Sequence, residues 1–222
     1  MAAPSDTPPI LCCVTDRRAF ANPADLTGVI ARAAAAGVDW IQIREKDLPA
    51  RDLLALVRAA VSAAKNASAA HPARRAKIIV NDRLDIALAA GADGVHLGGQ
   101  SLPVAAVNSA RADRVLPEGF RIGVSCHSLD AARAAERDGA DYVFFGPVFV
   151  TPAKEKFGPP QGIDALAEVS HNLRIPVLAI GGVNEENARD CFAAGAAGIA
   201  AIRMFQKSSD LPALVARLRT KA

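Results

Sequence analysis

Four stretches of this chain look alike: Ala36-Gly37-Val38-Asp39, Ala90-Gly91-Ala92-Asp93, Asp138-Gly139-Ala140-Asp141 and Ala194-Gly195-Ala196-Ala197. Each reads as the C-cap glycine of a helix followed by a short turn into a strand. Around them, short apolar runs alternate with Ala-rich helical stretches from end to end. The runs predict strands at Pro9–Val14, Val38–Arg44, Lys77–Val80, Gly94–Leu97, Arg121–Ser125, Asp141–Phe145, Pro176–Ile180 and Gly198–Ile202. A helix opens at Asn22-Pro23, Asn as cap and Pro in the first turn, and ends at Gly37. A second begins at Asp47 and Pro49, with Leu53, Leu56, Val57 and Ala60 as its apolar stripe, and Asp210–Lys221 forms the last. Eight β-then-α units predict an α/β fold, a single-domain (β/α)8 barrel spanning residues 1–222, with residues 1–8 a flexible N-terminal tail. The competing architecture is an open doubly wound sheet. The count of eight units, and the lack of a Gly-rich fingerprint after the first strand, argue against it.

Composition narrows the function classes. The 222 residues suffice for one sizeable core, and 26 basic against 23 acidic side chains leave the chain only mildly basic. The basic residues are scattered. The nearest to a cluster, Arg74, Arg75 and Lys77, reads as a solvated loop, so no nucleic-acid partner is expected. Cys12, Cys13, Cys126 and Cys191 are not spaced as a zinc or redox pair and read as small core residues of a reduced compartment. The start of the chain, MAAPSDTPP, has no signal-peptide pattern, and no apolar stretch is long enough for a membrane span. A cytoplasmic protein with no membrane partner is the expectation.

In a barrel of this kind the active site lies at the C-terminal ends of the strands. The second strand runs into WIQIREKDL, where alternation places Gln42, Arg44 and Lys46 on one face and Ile41 and Ile43 on the other. An amide and two cations on one face suit an anion with several oxygens; Arg forks onto two phosphate oxygens and Lys adds a mobile charge. The bland alternative is a salt-bridged rim with Glu45 and Asp47. The third strand ends in Asn81-Asp82, and a carboxylate beside a phosphate site points to Mg2+, although Asp82 would equally serve as a helix cap. His96 ends the fourth strand and reads equally as a core histidine or a participant; Ser101, before Pro103, reads as a helix cap. The fifth strand ends in Ser125-Cys126-His127, with His127 able to act as acid or base near neutral pH. The long loop Gly146–Gly162 has the length of a lid and carries Thr151 and Lys154. Gly181-Gly182 and Ile202-Arg203, after the seventh and eighth strands, fall where barrels often bind phosphate, which makes a second phosphate site there an expectation.

Taken in this order, QIREKDL, IIVNDRLDIALAAGADGVHLG, IGVSCHSL, GADYVFFGPVF, TPAK and IPVLAIGGV resemble the thiamine phosphate synthase family and its sister group, the thiazole tautomerases. The resemblance covers nearly the whole chain. It implies a transferase of thiamine biosynthesis that joins a hydroxymethylpyrimidine diphosphate to a thiazole phosphate and releases pyrophosphate, acting on small phosphorylated molecules with Mg2+. It implies that Gln42, Arg44, Lys46, Asn81, Ser125 and Lys154 bind the diphosphate and that Asp82 holds the metal. Thr151, Gly181, Gly182, Ile202 and Arg203 then hold the thiazole phosphate, and Lys154, Arg44, Ser125 and His127 carry the catalysis. Three positions depart from the family pattern: Ser101 stands where a second acidic metal ligand is usual, which weakens the Mg2+ expectation, Ala153 where a second hydroxyl is usual, and Arg203 where a serine is usual. The alternatives are a metal-independent tautomerase using His127 and a non-catalytic barrel that binds thiamine precursors and regulates a partner; a homodimer is left open.

Overall fold

The computed structural model describes residues 8–19, 26–68, 75–151 and 159–220. Most of the expected tail, the Asn22-Pro23 helix start, Ala153 and Lys154 lie outside these residues. Eight parallel strands, β1 (Ile10–Val14), β2 (Trp40–Ile43), β3 (Lys77–Asn81), β4 (Gly94–Leu97), β5 (Arg121–Cys126), β6 (Tyr142–Phe145), β7 (Val177–Ile180) and β8 (Gly198–Ala201), close in sequence order into a barrel. Between them run α1 (Leu26–Ala35), α2 (Ala50–Ala67), α3 (Leu84–Ala90), α4 (Val104–Ala112), α5 (Leu129–Arg137), α6 (Gly162–Asn172) and α7 (Ala188–Ala193), and α8 (Arg203–Gln206) and α9 (Leu211–Thr220) end the chain. The molecule is thus a single-domain (β/α)8 barrel. Among the described residues no helix is long and apolar enough to cross a membrane.

Strand alternation splits the apolar residues into two cores. Leu11, Cys13, Ile41, Ile43, Ile78, Val80, Val95 and Leu97 face outward into the layer between sheet and helices. Cys12, Val14, Trp40, Tyr142, Phe144, Leu178 and Ala200 face inward and fill the barrel. Adjacent Cys12 and Cys13 therefore lie on opposite sides of β1, and all four cysteines are free and buried. The helices meet the sheet through alanines interleaved with branched aliphatic residues. In α2, Leu53, Val57, Ala60, Val61 and Ala64 are buried, while the expected Leu56 flanks the stripe half-buried.

The repeat has a structural cause that the glycines alone do not reveal. Gly37, Gly91, Gly139 and Gly195 all have positive φ, between 68° and 95°, a conformation that a Cβ disfavours. Two residues after each comes the position immediately before an even-numbered strand. In three of the four that residue is Asp, and its carboxylate accepts a backbone N–H from the preceding odd-numbered strand: Asp39 from Leu11 at 2.8 Å, Asp93 from Ile78 at 2.7 Å and Asp141 from Ile122 at 2.7 Å. The barrel is built of four two-strand quarters, and the repeat marks the base of each.

One boundary differs in a way that matters. Strand β2 ends at Ile43, not Arg44, because its neighbour β1 ends at Val14, paired with Gln42. The Arg44 N–H then donates to Thr15 Oγ1 at 2.9 Å, so Arg44 and Lys46 leave the sheet on a loop. A short 3-10 turn, Arg17–Ala19, and the one-turn helix α8 were not anticipated.

Candidate active site at the C-terminal rim

At the C-terminal ends of β2 and β3 a hydrogen-bonded line of side chains crosses from one strand to the next. Gln42, only 2% exposed, points into the barrel and donates from Nε2 to Asn81 Oδ1 at 3.1 Å. Asn81 donates from Nδ2 to Asp82 Oδ2 at 2.6 Å. The same oxygen lies 3.6 Å from Lys46 Nζ. The Ser101 hydroxyl donates to Asp82 Oδ1 and accepts the Gly98 N–H at 2.6 Å. Residues 42, 46, 81, 82 and 101 come from three segments and share one spot on the rim.

Arg44 is half-buried, its charge reaches His96 at the end of β4, and among the described residues no carboxylate lies within 4.0 Å of its guanidinium. The acids that alternate with the cations are turned the other way. Glu45, 4% exposed, accepts from Thr15 Oγ1 at 2.7 Å and from the Arg17 backbone N–H and guanidinium. Asp47 pairs with Arg17 at 2.6 Å and Arg18 at 2.8 Å; these two arginines hold its carboxyl well below the usual carboxylate range. The salt-bridged rim considered from sequence does exist, but Arg17 and Arg18 make it. Arg44 and Lys46 stay available to an anion. The Thr15–Glu45–Arg17 buttress escaped the sequence reading; its one signal is a charge at position 45 out of phase with 44 and 46.

Neither Asp82 nor Ser101 is a helix cap. Asp82 does not cap α3: the residue before the helix is Arg83, and no side chain caps it. Asp82 has φ +63°, a left-handed backbone uncommon for a side-chain-bearing residue and concentrated at functional sites. Ser101 does not cap α4, which starts after Pro103 without a side-chain cap; its hydroxyl is committed to Asp82. His96 is a buried, neutral histidine. Its Nε2 lies 2.9 Å from Ser125 Oγ and its Nδ1 3.2 Å from the Tyr142 hydroxyl. Burial pushes its pKa down to about 3, opposed by Asp82 and reinforced by the Arg44 and Lys46 charges. His127 is exposed, and its Nδ1–H donates to the Gly146 carbonyl.

A second cluster lies across the mouth. The segment after β6 is zipped onto the segment after β7: Val148 N–H donates to Ile180 O and Phe149 N–H to Gly181 O, both at 2.9 Å. At Gly182, φ +71°, an added Cβ would sit 2.6 Å from Phe149 Cβ and 2.7 Å from the Val150 carbonyl, so only glycine allows this approach. Gly181 and Gly182 are thereby held beside the strand of chain that leads into Thr151. Ile202 turns inward onto the barrel cluster, and Arg203 is exposed at the start of α8.

Among the described residues no group of three or more His, Cys, Asp or Glu side chains is placed to hold a metal. What the rim offers is smaller: one carboxylate, Asp82, and one hydroxyl, Ser101, both hard oxygen donors. That set suits Mg2+, which binds through one or two carboxylates and completes its shell with water and phosphate.

A family model described as thiamine monophosphate synthase matches residues 11–205. The thiamine-phosphate synthase of Methanoculleus marisnigri is 44% identical over 189 residues, covering 85% of this chain and 84% of that protein. The thiamine-phosphate synthase of Roseiflexus sp. (strain RS-1) is 40% identical over 193 residues, 87% of this chain and 76% of that one. Among solved structures, a thiamine phosphate pyrophosphorylase from Pyrococcus furiosus superposes with a TM-score of 0.78 at 32% identity, covering 95% of this chain and 94% of its own. With matches of that length to sequence and structure alike, this chain belongs to the thiamine monophosphate synthase family.

Proposed function

We propose that the chain, as one catalytic barrel, is a thiamine-phosphate synthase: a transferase that joins a hydroxymethylpyrimidine diphosphate to a thiazole phosphate and releases pyrophosphate. The observation that carries the reading is the convergence of Gln42, Arg44, Lys46, Asn81 and Asp82 on one rim, with the intervening acids turned away onto Arg17 and Arg18. The relatives named as such synthases support it.

The chemistry is loss of a diphosphate from an activated benzylic-type carbon, whose positive charge the pyrimidine amino group spreads. The protein needs no nucleophile. It has to stabilise the departing anion, exclude water and hold the thiazole nitrogen in line. Arg44 and Lys46 meet the anion with charge, and Gln42 and Asn81 with amides. Asp82, with Ser101, would hold Mg2+, which when bound adds positive charge beside the leaving oxygens. Lys154, outside the described residues, is proposed as a further cation from the loop. Gly181, Gly182, Thr151, Ile202 and Arg203 take the thiazole phosphate, with Arg203 replacing by charge what a hydroxyl would give by hydrogen bonding.

A second reading is a metal-independent thiazole tautomerase. One observation favours it: with Nδ1–H committed to Gly146, the Nε2 lone pair of exposed His127 is free to take a proton. Pure protein given both substrates, with and without Mg2+, separates the two. Mg2+-dependent pyrophosphate release is expected, and its absence overturns the synthase. Proton exchange on the thiazole that resists EDTA and disappears in His127→Ala establishes the tautomerase instead.

A further inference from the structure

Three polar side chains form a line up the inside of the barrel. The Tyr142 hydroxyl lies 3.2 Å from His96 Nδ1, and His96 Nε2 lies 2.9 Å from Ser125 Oγ. Tyr142 is 0% and His96 2% exposed, while Ser125 is half-buried next to the end of β5, at the mouth. Among the described residues these side chains make no other hydrogen bonds. Both rings are sealed inside the barrel and hydrogen-bond only to each other and to an uncharged serine, with no carboxylate bonded to either, so the phenol and the imidazole are held neutral there.

Neutrality fixes the direction of the chain. A neutral phenol has one hydrogen to give, and among the described residues only Nδ1 is within hydrogen-bond distance to take it. Nδ1 therefore accepts, the single ring proton sits on Nε2, and Nε2–H donates to Ser125 Oγ. With that lone pair occupied, the Ser125 hydrogen turns away from His96 and toward the mouth. The opposite polarity leaves a buried phenol hydrogen unpaired and presents Ser125 lone pairs to an incoming anion. The parts are held by packing: the Tyr142 and Trp40 rings lie 4.6 Å apart and those of His96 and Phe144 4.2 Å apart. An added Cβ at Gly123 would land inside the Tyr142 ring.

We infer that Tyr142 and His96 are positioning residues that lock Ser125 as a hydrogen-bond donor to a phosphate oxygen of the leaving diphosphate. This rests on the reading that the mouth receives a diphosphate. Neither residue touches substrate; they act through Ser125, in the way that a ligand's second ring nitrogen is set by the bond it makes.

The test has two arms. In ligand-free protein, nitrogen-15 spectra of the histidine rings are expected to show His96 neutral and protonated at Nε2 from pH 5 to 8. A proton on Nδ1, or an imidazolium at pH 6, overturns the inference. In the second arm, calorimetry follows inorganic pyrophosphate binding to wild type, Ser125→Ala, Tyr142→Phe and the double variant. Ser125→Ala is expected to weaken binding about tenfold and Tyr142→Phe about threefold. Because Tyr142 acts only through Ser125, the double variant should match Ser125→Ala. Full additivity overturns the inference, since a merely structural Tyr142 would keep its effect without the serine. If Tyr142→Phe does not fold, the wild-type spectrum decides. Failure of the synthase reading appears separately, as a wild-type protein that releases no pyrophosphate whatever the tautomer of His96.

Discussion

The two ends of the barrel use the same residue types in opposite ways. At the base, each of three aspartates holds both a backbone amide and an arginine. Asp39 pairs with Arg219 at 3.0 Å, Asp93 with Arg75 at 2.9 Å and Asp141 with Arg111 at 2.6 Å, and Arg219 and Arg111 also donate to backbone carbonyls. These groups are saturated. At the mouth, Arg44 has no acid among the described residues, Lys46 reaches Asp82 only at 3.6 Å with its side chain 58% exposed, and Asp82 itself sits on a left-handed backbone. A saturated charge stabilises the fold, and an unsaturated one is available to a ligand. Charge at the base should therefore register in stability, and charge at the mouth in activity.

The largest effect expected is at Arg44. Arg44→Ala removes a cation with no carboxylate partner among the described residues, so the melting temperature should move by no more than about 2 °C. Pyrophosphate release should fall on the order of 100-fold, the usual loss when a group aimed at developing charge is removed. Melting curves beside steady-state rates check both. An Arg44→Ala protein that melts far below wild type would make Arg44 a structural residue.

The same substitution placed at each end sharpens the contrast. Asp93→Asn gives up the ion pair with Arg75 and weakens the acceptor for the Ile78 N–H. A cost of about 2–3 kcal/mol is expected, because a part-buried cation loses its partner, with kcat/KM unchanged in the folded protein. Asp82→Asn loses an exposed pair at 3.6 Å and one of the two carboxylate oxygens that accept from Asn81 and Ser101, together worth about 1 kcal/mol, and asparagine tolerates positive φ. It should lose activity and metal response instead. Denaturant melts and rate measurements on both variants check the crossing; parallel losses would erase the distinction.

His96 gives a smaller and pH-dependent term. Its folded-state pKa, about 3, lies below the ordinary 6.5, so the unfolded chain takes up the proton first. The contribution is complete above pH 6.5 and erodes as pH falls from 6.5 toward 3, by about 1.4 kcal/mol per unit. Between pH 6.5 and 5 this slope precedes carboxylate titration. Unfolding free energies measured across that window should be flatter in His96→Gln than in wild type, and equal slopes would place His96 in contact with water.

The architecture was legible in the sequence because glycine caps and apolar runs are local signals. Strand β4 falls on its predicted residues, and the other strands differ at their ends, where pairing partners run out. Gln42, Arg44 and Lys46 could be grouped from alternation alone, although Arg44 and Lys46 reach the rim by a loop and not by the sheet. What sequence could not supply is which acid meets which base. Glu45 and Asp47 are neighbours of the cations in sequence, yet pair with Arg17 and Arg18 from the end of β1, 28 to 30 residues away. Ser101 and Asp82, 19 residues apart, and Tyr142 and His96, 46 apart, meet only because the barrel closes. The repeat showed its glycines but not the use of its aspartates, since the N–H that each accepts lies on another strand.

The fourth quarter of the barrel offers the smallest and most specific test of that use. Where the other three carry Asp, it has Ala197, half-buried immediately before β8. The backbone geometry is nevertheless the same. Asp39 N–H donates to Leu11 O at 3.0 Å, Asp93 N–H to Ile78 O at 2.8 Å and Asp141 N–H to Ile122 O at 2.7 Å, and each carboxylate then accepts the N–H of that same residue. Ala197 N–H donates to Val177 O at 2.9 Å, so a carboxylate at 197 would be aimed at the Val177 N–H. Ala197→Asp should add about 0.5 kcal/mol, the low end for a hydrogen bond and the amount expected of the backbone amide alone. Denaturant melts would read the gain, and the rate of pyrophosphate release should not move. A loss of stability would mean that the arginines, rather than the backbone amides, are what make the base aspartates favourable, and that the quarter without an acid lacks one for want of a cation.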